Sequence, residues 1–445
     1  MAKTYLLFSV PHIPGLRRKL AGVLLDYYPV YHDELLVPVG TAPDGDELLL
    51  LPSLVWQSIQ GRILFPELRT ELAQKAPSIV MVAITEEVAL EYVAKASERP
   101  QVNLPPGEIV NGYSRALRAT RVPQAHAMFA DGTAVASIRI GHIDTGVNGH
   151  PCLRNNPPAV HEGVNYKETA TQPLDPWPAS YTYPGMPGHG GRTISVLAAS
   201  DAENLMGVAP WAKVVPYRLS NNTIIDFLGN NTRLAEALLH ALQAGCQVVT
   251  LSMGDPFKPE PLVAAAVDEL YEAGIIFCSA AGNVIDSVVW PARFKRVIAV
   301  AGSLVPEDDA PDIHVPWSGS SFGEEADISA PADKVARANW TGVGAASVAN
   351  YGVGDGTSFA TPAVAGTAAL WLAKHGAALD AAGLTGWRRV EAFRHVLTRT
   401  AVPFKPGSPK GFGAGVLNCQ AVLAAPLPTA DQLTKRPAAV SGAGT

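Results

Sequence analysis

Apolar residues along this chain follow two alternating rhythms. Short apolar runs with strand character occur at Ile138–Ile143, Lys213–Arg218, Gln247–Leu251, Ile275–Ser279 and Val297–Ala301. Stretches with helical character lie between and after them, at Ile194–Ala199, Ala235–Ala244, Ala363–Leu372 and Trp387–Leu397. Strand and helix in regular alternation predict an α/β domain: a doubly wound, mainly parallel sheet with helices on both faces. The first part of the chain has its own pattern, with strands expected at Tyr5–Val10 and Ser78–Ile84 and helices at Leu16–Leu25 and Glu86–Ala96. This predicts a smaller N-terminal α+β domain over residues 1–112, closed by a linker at Pro105-Pro106-Gly107. Residues 113–426 then form the main domain, and the Pro-, Thr-, Ala-, Gly- and Ser-rich residues 427–445 are expected to be a disordered tail.

Composition narrows the class. The 445 residues are 47% hydrophobic and 17% charged, enough for a large core and more than one domain. A net charge of -6, with no basic cluster among aromatics, speaks against nucleic acid as a partner. No apolar run is long enough to span a bilayer. The apolar start at Tyr5–Val10 is cut by Pro11, too short for a secretory signal, so a cytoplasmic location is expected. Cys152, Cys246, Cys278 and Cys419 fit no zinc spacing and read as buried reduced thiols. His142, His150, His161 and His189 show no helical metal spacing, so no metal site is assigned. The acidic run Glu307–Asp312 reads as a solvated loop, and the helix carrying Arg388, Arg389 and Arg394 as a surface helix packed by Val390, Phe393 and Val396.

Three segments carry candidate chemistry. Gly354-Asp355-Gly356-Thr357-Ser358-Phe359-Ala360-Thr361-Pro362 places Ser358 at the start of an apolar helix, where unpaired N–H groups and the helix dipole would stabilise an oxyanion. Serine is also the commonest helix cap, so Ser358 alone proves little. Ile140-Gly141-His142-Ile143-Asp144-Thr145-Gly146 ends a strand in an acid, where open α/β sheets place their sites. Gly188-His189-Gly190-Gly191 puts a histidine at the head of another helix. A serine nucleophile needs a base, and the base needs an acid to fix its tautomer, roles that Ser358, His189 and Asp144 can fill.

Asp-Thr-Gly at Asp144, His-Gly-Gly at His189 and Gly-Thr-Ser-Phe-Ala-Thr-Pro around Ser358, in that order, resemble the subtilisin-like (subtilase) family of serine peptidases. The likeness extends over roughly residues 115–425, through Ala235–Gly254, Gly274–Asn283, Trp290-Pro291-Ala292 and Ser320–Pro331. It implies a subtilisin-like sheet and a serine endopeptidase acting on polypeptide, with Asn283 as a side-chain donor to the oxyanion and no required cofactor. Ser252, Met253, Gly254, Ala281 and Gly282 are implied to line the substrate groove. Relatives often bind calcium for stability, but no residue here is assigned to it. Where such relatives carry Gly-Thr-His, this chain has Gly190-Gly191-Arg192, and the extra glycine is expected to loosen the turn that holds His189.

Other points stay open at this level. The N-terminal domain is either a propeptide-like inhibitor or a permanent module that docks a protein partner. Thr171–Pro187, rich in Pro, Tyr and Trp, is expected to be an exposed ordered loop near the site, either limiting substrates or decorative. The segment Val284–Val289 edges the pocket before the cut; its apolar bulk favours a medium apolar side chain, while Asp286 leaves room for a basic one. An inactive binding protein of the same fold, or a peptide ligase or cyclase, are the competing functions.

Overall fold

A computed structural model of the chain describes residues 4–11, 20, 23–24, 37–41, 47–51, 70, 72–85, 104–168, 172–177, 188–221, 223, 225, 230–255, 259–283, 287–306, 314–341, 344 and 347–440. The chain divides into two compact units: Met1–Val102 with Pro176–Pro187 and Trp340–Val348, and Asn103–Asp175 with Gly188–Asn339 and Ala349–Thr445.

The first unit contains β1 (Thr4–Val10), β2 (Val37–Thr41), β3 (Glu47–Leu51) and β4 (Val80–Thr85). They form an antiparallel sheet in the order β2-β3-β1-β4. Side chains alternate along a strand, so Leu6, Phe8 and Val10 share one face, and all three are buried. Leu20, Val23, Leu24 and Leu72, at helical positions, are buried as well. Strands β1 and β4 match the sequence pattern. Strands β2 and β3 escaped it because Pro38 and Gly40 interrupt β2, where the register shifts. The helix expected at Glu86–Ala96 lies outside the described residues.

The second unit is built on β5 (Arg139–Asp144), β6 (Val164–Asn165), β7 (Lys213–Arg218), β8 (Val248–Leu251), β9 (Ile276–Ala280), β10 (Ile298–Ser303) and β11 (Ile328–Pro331). Among the described residues these make one parallel sheet in the order β11-β10-β9-β8-β5-β7-β6. The helices are α1 (His189–Ala198), α2 (Asn230–Gln243), α3 (Pro261–Ala273), α4 (Thr357–Ala381) and α5 (Trp387–Arg399). Neighbouring strand residues feed opposite layers. Ile140, Val248, Ile276 and Ile298 pack with Ile194 and Leu197 of α1 and Ala360, Val364 and Ala368 of α4. Val249, Leu251 and Phe277 pack with Leu234 and Leu238 of α2 and Val263 and Val267 of α3. Strands buried on both faces explain the nearly continuous apolar runs in the sequence. Among the described residues, no helix is long and apolar enough to cross a membrane.

Three sequence expectations change. The stretch around Pro105-Pro106-Gly107 belongs to the second unit. Arg118 donates to the carbonyls of Gly107, Glu108 and Tyr113, and Arg115 pairs with Glu108 at 2.7 Å. Residues 427–440 are not a disordered tail. Arg436 N–H donates to the Tyr271 hydroxyl oxygen at 3.0 Å, Ala439 N–H to Asp268 at 2.7 Å, and Arg296 to the Arg436 and Pro437 carbonyls. Composition misleads there because Leu433 and Ala439 reach the apolar clusters and the backbone groups find polar partners. In α5, Val390, Phe393 and Val396 are buried as expected, but Arg394 is buried too, paired with Asp327 at 2.5 Å and Glu391 at 3.3 Å. The four cysteines are free and buried, and burial pushes the Cys246 thiol up to about 11.

Candidate active site

The order of the sheet reverses at one seam. From β5 the chain runs out to β6 and β7 on one side, then returns to β8 on the other. A crevice opens at such a switch point, beyond the carboxyl ends of the flanking strands. Asp144 is the last residue of β5, and Ser252 follows the last residue of β8. His189 opens α1, Ser358 lies in the first turn of α4, and Asn283 lies just past β9.

Asp144 and His189 meet. Asp144 Oδ1 lies 2.7 Å from His189 Nδ1 and accepts the Thr145 N–H at 2.7 Å. Its Oδ2 accepts the Thr193 hydroxyl at 3.0 Å. Both Asp144 and His189 are buried. Burial alone would raise the Asp144 pKa; the charge and hydrogen bond of His189, with help from Thr145 and His142, outweigh it and hold the carboxyl below its ordinary value. A bare carboxylate here, hydrogen-bonded at Nδ1, fixes the tautomer that leaves Nε2 to act as a base.

The turn that presents His189 is tightly built. Thr145 Oγ1 donates to Asp175 Oδ2 at 2.6 Å and accepts the Gly190 N–H at 3.0 Å. Asp175 Oδ2 also accepts the Gly188 N–H at 2.8 Å. A Cβ on Gly190 would lie 1.9 Å from the Gly146 carbonyl oxygen, and one on Gly191 would lie 2.4 Å from the Asn148 side-chain amide. The second glycine therefore does not loosen the turn; it makes room for Asn148. Asp175 belongs to the stretch read as an exposed loop, yet it is buried, while residues 178–187 of that stretch lie outside the described residues.

Around Ser358 the arrangement is set largely by backbone. Gly356, at φ +141°, turns the chain into α4 through a conformation closed to other residues. Ser358 N–H is one of the first-turn donors with no partner within the helix. Pro362 has no N–H to offer the Ser358 carbonyl four residues earlier. The Ser252 hydroxyl takes its place, donating to Ser358 O at 2.8 Å. Ser358 Oγ in turn donates to the Ser252 carbonyl at 3.3 Å. Thr357 donates both its N–H, at 2.9 Å, and its hydroxyl, at 3.0 Å, to Asn283 Oδ1. Fixing the oxygen fixes the flip of the amide, so the NH2 group of Asn283 is the end left to bind an anion.

Of the residues implied to line a groove, Ser252, Met253 and Ala281 are buried. The main chain at Gly254, implied to line the groove, is already paired. Gly254 N–H donates to Thr223 O at 3.0 Å, and Ile225 N–H donates to Gly254 O at 3.1 Å. Val289 fills the space between the two glycines: Cβ atoms on Gly254 and Gly282 would lie 2.4 and 2.7 Å from its γ carbons. Asp286 lies outside the described residues. Sequence reading missed Thr193 and Asp175 as partners of the site. Thr193 follows His189 by one helical turn, a usable signal; Asp175 had none.

Comparison with known proteins bears on the family and the fold. The chain is 28% identical over 302 residues to subtilisin BL of Lederbergia lenta, covering 67% of this chain and 95% of that protein. It is 28% identical over 305 residues to subtilisin E of Bacillus subtilis strain 168, covering 67% and 68%. A solved protease structure from Pseudoalteromonas arctica shares the fold, with a TM-score of 0.54 and 21% identity over 68% of this chain and 93% of that one. The prenylagaramide maturation protease PagA does so with a TM-score of 0.50 and 19% identity, over 68% and 96%. The subtilase family as a whole matches residues 136–415, the span that holds the sheet, the Asp144–His189 pair and Ser358, and the chain belongs to that family.

Proposed function

We propose that this chain is a serine endopeptidase that cleaves polypeptides through an acyl-enzyme on Ser358. The Ser358 hydroxyl, which donates to the Ser252 carbonyl, has to turn to His189 for the reaction to start. His189 Nε2 takes its proton as Oγ attacks the scissile carbonyl carbon, and Asp144 stabilises the imidazolium. The carbonyl electron pair moves onto oxygen, where Ser358 N–H and the Asn283 amide receive it. On collapse the C–N bond breaks and His189 gives its proton to the departing amine. Water, deprotonated by His189, then releases the acyl group. The observation that carries this reading is the buried 2.7 Å contact between Asp144 and His189.

Two features of the groove refine the proposal. An extended substrate needs main-chain partners on a strand edge, so the Thr223–Ile225 segment has to release Gly254 for a peptide to pair there. The Val289 side chain lies against both Gly254 and Gly282, leaving little room between them. This favours a small residue such as alanine or serine before the cut, over the medium apolar or basic side chains left open by sequence. In a peptide series varying that position, kcat/KM should fall from alanine to phenylalanine by at least about tenfold, and Val289→Ala should narrow the ratio. An unchanged ratio would remove Val289 from the proposal.

The direct test treats wild type and Ser358→Ala with a fluorophosphonate label and a peptide library, with the chain mass recorded to show any loss of the N-terminal unit. Labelling and hydrolysis by wild type alone support the peptidase. Joined peptides indicate a ligase, and binding without turnover by either chain indicates an inactive binder.

A further inference from the structure

Asp144 is served from behind by a side-chain chain that the peptidase mechanism does not use. His142 lies two residues before Asp144 on β5 and is buried. Its Nε2 is 2.9 Å from Thr193 Oγ1, and Thr193 Oγ1 is 3.0 Å from Asp144 Oδ2. The direct His142 Nε2 to Asp144 Oδ2 distance is 3.9 Å, too long for a hydrogen bond, so the link runs through the threonine.

Proton accounting gives the link a direction. An ionised carboxylate only accepts, so the single Thr193 hydroxyl proton goes to Asp144. The competing acceptor, the Gly190 carbonyl at 3.2 Å, is longer and uncharged. Thr193 Oγ1 is then an acceptor toward His142, which has to carry its proton on Nε2. His142 Nδ1 has no hydrogen-bond partner among the described residues. That suits a bare lone pair and would penalise a second proton. Burial agrees, pushing the His142 pKa down to about 4 and outweighing the pull of Asp144, with His189 adding to the depression. These two are the titratable groups acting on His142, and strand β8 sets the uncharged Thr250 against it.

We infer that His142 and Thr193 are positioning residues for the acid of the triad: a neutral imidazole and a hydroxyl in series that occupy Oδ2 of Asp144 and so hold Oδ1 on His189. Without them Oδ2 is a buried acceptor with no partner. The carboxylate then pulls harder on the imidazolium and is free to rotate. The inference rests on the peptidase reading.

The test compares Thr193→Val, which has the same shape without the hydroxyl, with Thr193→Ser, which keeps it. Thr193→Val should lower kcat by about tenfold with KM within about twofold, and move the acid limb of kcat/KM to higher pH. Thr193→Ser should recover most of both. A hydroxyl that merely supported the fold would lower Tm without splitting kcat from KM or moving the limb. Wild-type kcat and limb in Thr193→Val, or equal losses in both variants, would overturn the inference. If Thr193→Val does not fold, His142→Gln, which retains an N–H donor, is read against His142→Leu, and identical kcat and limb in that pair overturn it. Fluorophosphonate labelling separates the two levels. An unlabelled, inactive wild type overturns the peptidase reading and this one together, whereas a labelled, active wild type with an indifferent Thr193 overturns this one alone.

Discussion

The two halves of the site are held by opposite means. Around Asp144 and His189 the contacts are side-chain hydrogen bonds: Thr193 and His142 behind the carboxylate, and Thr145 and Asp175 beneath the turn. Around Ser358 the backbone sets the geometry: a glycine turn, a helix start, and a proline whose missing N–H leaves one carbonyl for Ser252. The Asp144–His189 half depends on hydroxyls and carboxylates that single isosteric changes can remove. The half around Ser358 depends mainly on main-chain conformation and borrows the side chains of Ser252 and Asn283, of which Asn283 is the one with a donor to offer an anion.

The largest effect expected is from Asp144→Asn, which keeps the shape but reverses the tautomer preference at His189; kcat should fall by about 10⁴, while Ser358 remains in place. Measurable turnover near the wild-type rate would mean that the acid–base half is not assembled as described. Next, Asn283→Ala removes one oxyanion donor and should lower kcat by roughly 10²–10³ with little change in KM. A loss confined to KM would reassign Asn283 to ground-state binding. Asp175→Asn retains one acceptor but not the charge beneath Thr145 and Gly188, and should cost about tenfold in kcat. If only Tm moves, the buttress supports the fold and not His189.

The smallest effect separates the halves by acid. His142 stays neutral in the folded chain down to about pH 4, whereas in the unfolded chain it titrates at its ordinary value of 6.5. Between those values the unfolded state binds more protons, so stability falls as pH falls through that window. The lowered Asp144 pKa acts in the same direction, its contribution being lost further into acid. Wild type should therefore lose more Tm between about pH 6.5 and 4 than His142→Gln does, by calorimetry. Parallel curves would show that His142 does not titrate with unfolding.

Much of this was legible in the chain. The runs at Ile138, Gln247 and Ile275 gave the strands because a sheet buried on both faces has no room for polar alternation. Local turns with unusual requirements, Asp-Thr-Gly and Gly-Thr-Ser, marked the candidate residues because few sequences satisfy them. Other features were hidden for physical reasons. Strand β2 carries Pro38 and Gly40, which local pattern reads as loop, and only pairing with β3 makes it a strand. The Pro-rich stretch around Asp175 is composed like a surface loop; its carboxylate is buried because Thr145 and Gly188 need an acceptor. Residues 427–440 show no regular apolar period, yet Leu433 and Ala439 join the apolar clusters and Tyr271, Asp268 and Arg296 offer partners to their backbone.

By itself the sequence determined the parallel α/β layers and the identity of the residues gathered at the seam, because burial and turn conformation are dictated within a few neighbours. Tertiary structure alone decided which oxygen of Asp144 faces His189, which end of Asn283 accepts from Thr357, that Val289 packs against Gly254 and Gly282, and that Gly254 is already paired. Each of these depends on a partner contributed by another part of the chain. Hydrogen-bond direction and packing are properties of pairs, and no local pattern records the second member.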